Sequence, residues 1–278
     1  MSDDPTTAAR TPDRHAADGP VADGHGLVVD GHQVAAPVAR RVGAQALAEV
    51  RTVLRNGEQL VITLVLPLLI LVALTRTTFV DLGPGDRVEL VVPGVLALAV
   101  MSTAFTSQAI ATGFDRRNGV LRLLATTPLG RGGLVAGKVL GVVALELLQL
   151  TVLAGAALAL GWRPDVAGVP GALLALLLGT AAFTSLALLV AGLLRAEAVL
   201  AVANLLWVLL LAGGGVVLPV SMLPGPLGDV AALLPSGALG EALRAALGGD
   251  GLPIVPLVVL AAWTAVLSAL VARTFRWS

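Results

Sequence analysis

From residue 59 onward the chain alternates long apolar runs with short polar connections. The runs extend from Gln59 to about Val80, Leu90 to Gly113, Leu134 to Leu160, Pro170 to Leu194, Val199 to Leu218, and Leu252 to Ala272. Each is close to the roughly 20 residues that cross a bilayer core as a helix. The pattern predicts an all-α, polytopic membrane protein with six transmembrane helices. Pro67 falls inside the first run, and a neighbouring helix must satisfy the carbonyl that a proline frees.

Three segments depart from this pattern. Residues 1–36 are rich in Asp, Gly, Ala, Thr and Pro and bury too little apolar surface to order themselves; they read as a disordered cytoplasmic tail. Residues 37–58 place Val38, Val42, Leu47, Val50 and Leu54 near helical spacing against Arg40, Arg41, Gln45, Arg51 and Arg55. That asymmetry predicts an interfacial helix over 38–56, lying among anionic headgroups, with a cytoplasmic extension of the first span as the alternative. Between the last two runs, residues 219–251 carry four prolines in an apolar stretch too broken to span. They predict short, re-entrant half-helices leaning on the other spans. The domain plan is therefore a tail, 1–36, and a six-span transmembrane domain, 37–278.

Composition agrees with lipid as the main solvent: hydrophobic residues are 56% and charged residues 13% of the chain, against about a quarter charged in soluble domains. Mean hydropathy is +0.91. Net charge is zero, which points to no nucleic-acid partner. There is no cysteine, hence no disulfide, thiolate metal site or Cys nucleophile. All three histidines, His15, His25 and His32, lie in the tail, and no cleavable signal is visible near the start. No metal site and no cofactor are expected.

Charge distribution orients the spans. Basic residues gather before the first run (Arg40, Arg41, Arg51, Arg55), between the second and third (Arg116, Arg117, Arg122, Arg131, Lys138) and at the C-terminal end (Arg273, Arg276). The other connections are acidic or balanced. Positive residues stay inside, so both termini are expected in the cytoplasm of a multi-pass protein of a bacterial plasma membrane. Arginine in place of nearly all lysine, with the Ala/Val/Leu/Gly bias, fits a high-GC bacterial genome.

The largest basic cluster is residues 114–142, "FDRRNGVLRLLATTPLGRGGLVAGKVLGV". Asp115 fits an N-cap. Val120, Leu121, Leu123 and Leu124 fit one apolar face of a short helix over about 115–125, and Pro128 disfavours continuation at Thr127. Such a helix is a docking surface for a soluble partner or a plain positive-inside anchor. "GGLVAGK" (132–138) begins like a phosphate-binding loop, but Val139 replaces the hydroxyl that would hold magnesium, so no P-loop is read here. Within the spans, Glu146 and Gln149 share a helix face. A substrate pathway and an interhelical hydrogen bond fixing the packing both stand open for them. Asn204 reads as packing glue. Trp162, Trp263 and Trp277 fall near expected interfaces.

A basic interfacial helix, six spans and "RRNGVLRLLATTPLGRGGLVAGKVL" together resemble the membrane subunit of type-2 ATP-binding-cassette exporters. The resemblance maps the family's pattern onto Asp115, Arg117, Gly119, Leu121, Leu124, Thr127, Pro128, Gly137 and Lys138. "RNGEQLVITLVLP" and "LPVSMLPGPLGDVAALLPSGALGEALR" are similar to its approach to the first span and its broken segment before the last. It implies two such subunits, paired as homodimer or heterodimer, each resting a short coupling helix in a cleft of a separate ATPase subunit. It implies docking through Arg116, Arg117 and Arg122, with Leu121 and Leu124 as packed anchors, and export of drugs, lipids or polysaccharides. The chain itself would be no enzyme.

Two other functional classes fit the sequence less well. An intramembrane enzyme would need a His-based site or paired aspartates, and the spans carry neither. A stand-alone carrier or channel usually gathers more midplane polar groups than Gln108, Glu146, Gln149 and Asn204.

Overall fold

The structure, a computed structural model, describes residues 36–57, 61–77, 86–125 and 129–274. The segment read as a tail lies outside these residues except for Ala36, and so do Thr127, Pro128 and Trp277. All regular elements among the described residues are helical. They are α1 (Val38–Leu54), α2 (Leu66–Arg76), α3 (Arg87–Val100), α4 (Gln108–Arg117), α5 (Val120–Ala125), α6 (Gly130–Ala159), α7 (Val169–Leu193), α8 (Ala196–Gly213), α9 (Pro226–Leu233), α10 (Pro235–Gly248) and α11 (Ile254–Thr274). Two π-helical stretches, Val61–Val65 and Met101–Ser107, lead into α2 and join α3 to α4.

Among the described residues five stretches are long and apolar enough to cross a membrane: Arg87–Arg117, Ala136–Ala159, Val166–Leu193, Ala196–Gly213 and Ile254–Thr274. The first expected span is represented by the shorter apolar helix Thr63–Arg76, with residues 58–60 and 78–85 of the surrounding chain outside the described residues. The expected broken segment is the pair α9 and α10, bent by 88° at Leu234. The protein is an all-helical, multi-pass membrane protein.

The centre of the bundle is α3 with its π-helical continuation. Every residue from Val91 to Val100 is buried, and an apolar helix covered on all sides belongs inside. Phe105, Phe183, Leu239, Leu243 and Leu260 fill the space between it, α7, α10 and α11. By contrast α8 turns Leu205, Val208 and Leu209 outward.

The helix expected at the interface forms as α1 over nearly the expected residues, but its inward face differs from the expected apolar stripe. Val42, Gln45, Ala46 and Glu49 lie against α6, where glycines recur every fourth residue. A Cβ on Gly137 would stand 2.5 Å from Gln45 Cγ, and one on Gly141 2.8 Å from Glu49 Cβ. Small residues at this spacing let two helices approach closely. Val38, Leu47 and Leu54 consequently remain exposed.

At the opposite end, the chain leaves α8 through Gly213–Gly214–Gly215 and runs on without helix toward Pro219. Gly215 has φ +64, which a side chain would strain. This strand of irregular backbone passes against Gly94 of α3, where a Cβ would meet Val216 O at 2.8 Å. Arg244 of α10 donates to Val216 O at 2.6 Å and to Gly215 O at 3.3 Å, and pairs with Glu241 at 2.7 Å. Glu241 in turn accepts from Val220 N–H, and Ser236 donates to Gly214 O. The side chains of α10 thus satisfy carbonyls that no helix holds.

Candidate functional site

Two sets of polar groups stand out against this apolar background. The first is the elbow that links α4, α5 and α6. α4 continues the preceding span without a break through Asp115, Arg116 and Arg117. It ends at Asn118 and Gly119, whose φ of +73 turns the chain into α5. The expected short helix over about 115–125 is therefore confined to Val120–Ala125, and Asp115 is not its N-cap. Asp115 instead accepts a hydrogen bond from Lys138 Nζ at 2.7 Å, and Lys138 also pairs with Glu49 of α1 at 3.0 Å. Gln45 donates to the same Glu49 carboxylate at 2.9 Å. With its side chain only 7% exposed, the chain's single lysine binds α1, α4 and α6 at one point.

The two neighbouring arginines have different surroundings. Arg116 Nη1 donates to Ala191 O at 2.9 Å and to Gly192 O at 2.7 Å, carbonyls of the last turn of α7 that lack helical partners. It ties α4 to α7. Arg117 pairs with Glu197 in the first turn of α8 at 2.6 Å, with both side chains more than half exposed.

On α5, Leu121 is 2% exposed and Leu123 68%. The expected single apolar face is thus divided, because residues two apart in a helix point to nearly opposite sides. Leu121 anchors α5 to its own bundle, and Leu123 is an apolar side chain presented outward. Arg122 and Leu124 are also on α5.

The second set is a polar layer inside the bundle. Gln149 Oε1 accepts from Thr103 Oγ1 at 2.9 Å, and Gln149 Nε2 donates to Thr63 O. Thr63 lies four residues before Pro67, so its carbonyl is the one the proline cannot serve. The expected neighbouring donor is Gln149. Thr103 belongs to the π-helical stretch, as does Ser102, whose hydroxyl accepts from Trp207 Nε1 at 3.0 Å. Glu146, one turn before Gln149, accepts from Thr180 Oγ1 at 2.6 Å through Oε2, while its buried Oε1 has no partner among the described residues. Asn204 is exposed on the outer face of α8 and makes none of these contacts. Trp162, expected at an interface, is 5% exposed. An apolar cavity of about 260 Å³ lies between Leu74, Val91, Leu211 and Leu218.

Sequence reasoning brought Asp115, Arg116, Arg117 and Lys138 forward but not their partners Glu49 and Glu197. Gly137 entered only through the family resemblance, and the regular spacing of the glycines at 133, 137 and 141, a helix-contact signal, was not read as one.

A family model described as "ABC-2 type transporter" matches residues 42–247, from α1 into α10. A search among curated proteins finds no match. The matched region takes in both the elbow and the polar layer. With most of its length matched in this way and five helices able to span a bilayer, the chain belongs to the ABC-2 type transporter family and is the transmembrane subunit of an ABC transport system.

Proposed function

We propose that two copies of this chain, or one copy and a homologue, form the membrane pathway of a bacterial exporter driven by a separate ATPase subunit. Both termini lie in the cytoplasm, and the ATPase seats on α5 and the adjoining end of α4. The observation that carries this reading is the anchorage of the elbow. A load applied to α5 passes into α6 directly, and through Lys138 and Arg116 into α1, α4 and α7. ATP binding favours one arrangement of the ATPase pair, and that preference biases the spans through these attachments. Leu123 and Arg117 are the exposed side chains offered to the partner, with Arg122 on the same short helix.

Pairing is supported by α8. Asn204 sits midway along this span on its outer face beside Leu205 and Val208. An amide facing hydrocarbon alone is costly, whereas a second subunit can supply its hydrogen bonds. The outward apolar residues of α1 and the basic residues around them fit an interfacial seat in the bilayer. The apolar cavity suits a hydrocarbon moiety of a drug- or lipid-like substrate.

Reconstitution tests the reading. Vesicles containing the chain together with its ATPase should extrude an amphiphilic dye only with ATP, and vesicles lacking the ATPase should not. ATP-independent transport by the chain alone would reject the proposal. The natural lack of cysteine permits a label at Arg117→Cys, which should react only from the cytoplasmic side.

A further inference from the structure

The turn joining α7 to α8 faces the end of α4 across an open cleft of about 350 Å³, lined by Arg116, Arg117, Arg195, Glu197, Leu194 and Gly113. Three cations and one anion meet there, and the cations are unequally engaged. Arg116 is held by two carbonyls. Among the described residues Arg117 is held by Glu197 alone, in a pair so exposed that its disruption costs little. Arg195 is exposed and has no ion-pair partner among the described residues. A carboxylate already rests in this cleft, and it belongs to the chain itself.

We propose that the cleft is a second docking element for the ATPase subunit, receiving an acidic side chain of that partner. The incoming carboxylate bridges Arg195 and Arg117 and displaces Glu197, which turns to solvent. This rests on the reading under Proposed function and extends it from one connection to two. α5 begins three residues after Arg117, so a protein seated on α5 also covers the cleft. A lipid phosphate would find the same arginines, but among the described residues Leu194 is the only sizeable apolar side chain lining the cleft, which leaves little wall for acyl chains. Covering the cleft removes water from the new ion pairs and strengthens them relative to the open Arg117–Glu197 pair.

The test uses the full-length chain in nanodiscs and the ATPase that co-purifies with it from its own host. Binding is measured for wild type, Glu197→Gln and Arg195→Glu, all three checked for equal thermal unfolding. Glu197→Gln, by freeing Arg117, should tighten association by about 3-fold, and Arg195→Glu should weaken it by about 10-fold, a range set by partly covered charge pairs. Reversing one acidic residue on the ATPase face should restore binding to Arg195→Glu. If wild type binds and both variants match it, the cleft is not a docking element, although the exporter reading stands. If wild type recruits no ATPase, both fall. If Arg195→Glu loses retained phosphatidylglycerol relative to phosphatidylcholine while its ATPase affinity is unchanged, the occupant is lipid and the proposal is overturned.

Discussion

The two ends of the bundle are fastened by different means. At the end bearing α5, long charged side chains reach between helices: Lys138 to Asp115 and Glu49, Arg116 to the end of α7, Arg117 to α8. At the other end Arg244 and Glu241 also reach backbone groups, but there the packing itself sets backbone directly on backbone. A Cβ on Gly237 would overlap Ala231 O, and one on Gly168 would overlap Ala246 O. Contacts of the first kind can exchange partners without repacking, whereas contacts of the second kind have no slack. An end that must answer to another subunit suits the former. An end that holds irregular backbone in place, as α10 does for residues 214–219, suits the latter.

Substituting glycines at the two ends should expose this difference most strongly. Gly237→Val forces carbonyl groups apart on both sides, Ala231 O and Gly214 O, and should cost about 3 kcal/mol or more. Little monodisperse protein should survive detergent extraction and size-exclusion chromatography. Gly137→Ala meets the side chain of Gln45 on a helix attached from outside, and α1 can move as a body. It should cost about 1 kcal/mol and leave the extracted protein intact. Equal yields from the two variants would erase the contrast.

Next in size is the buried lysine. Lys138→Met leaves Asp115 and Glu49 facing each other without a cation, at a cost of about 2–4 kcal/mol. Adding Asp115→Asn and Glu49→Gln to the same chain should recover most of the loss in thermal unfolding. If the triple variant is no better than Lys138→Met alone, the three residues do not act as one ionic unit. Gln149→Leu follows at about 1–2 kcal/mol, because it strands the Thr63 carbonyl and the Thr103 hydroxyl together. Pro67→Ala in the Gln149→Leu background should return part of this, since residue 67 regains an N–H that can serve the carbonyl. A midpoint unmoved by Gln149→Leu would show that the proline's carbonyl is satisfied by something else.

What was legible in the sequence follows the range of the interactions involved. Apolar run lengths marked the spans, and the prolines between 219 and 235 marked a broken segment, because both signals are local. That Pro67 needs an outside donor was also readable. That the donor is Gln149 was not, since their 82-residue separation is closed only by packing α6 against the start of α2. Asp115 looked like a cap because Asp ahead of a short apolar stretch usually is one. The helix instead ran on to Arg117, and Lys138, brought near by the elbow, took the carboxylate. Arg116 and Arg117 looked equivalent in sequence, and only the positions of α7 and α8 distinguish them.

The smallest expected effect tests that last distinction. Arg117→Gln removes one exposed ion pair and should lower stability by less than about 1 kcal/mol, an amount that vanishes in high salt through screening. Arg116→Gln loses charge-assisted bonds to two carbonyls at the end of α7 and should cost about 2 kcal/mol. Because those bonds are partly buried, its loss should persist in salt. Unfolding midpoints of both variants, compared at 0.05 and 0.5 M NaCl, separate an arginine that holds the bundle from one free to leave its partner. A large, salt-resistant loss at Arg117 would mean that its pairing with Glu197 is structural, and the exchange of partners proposed for the cleft would then have no cheap bond to break.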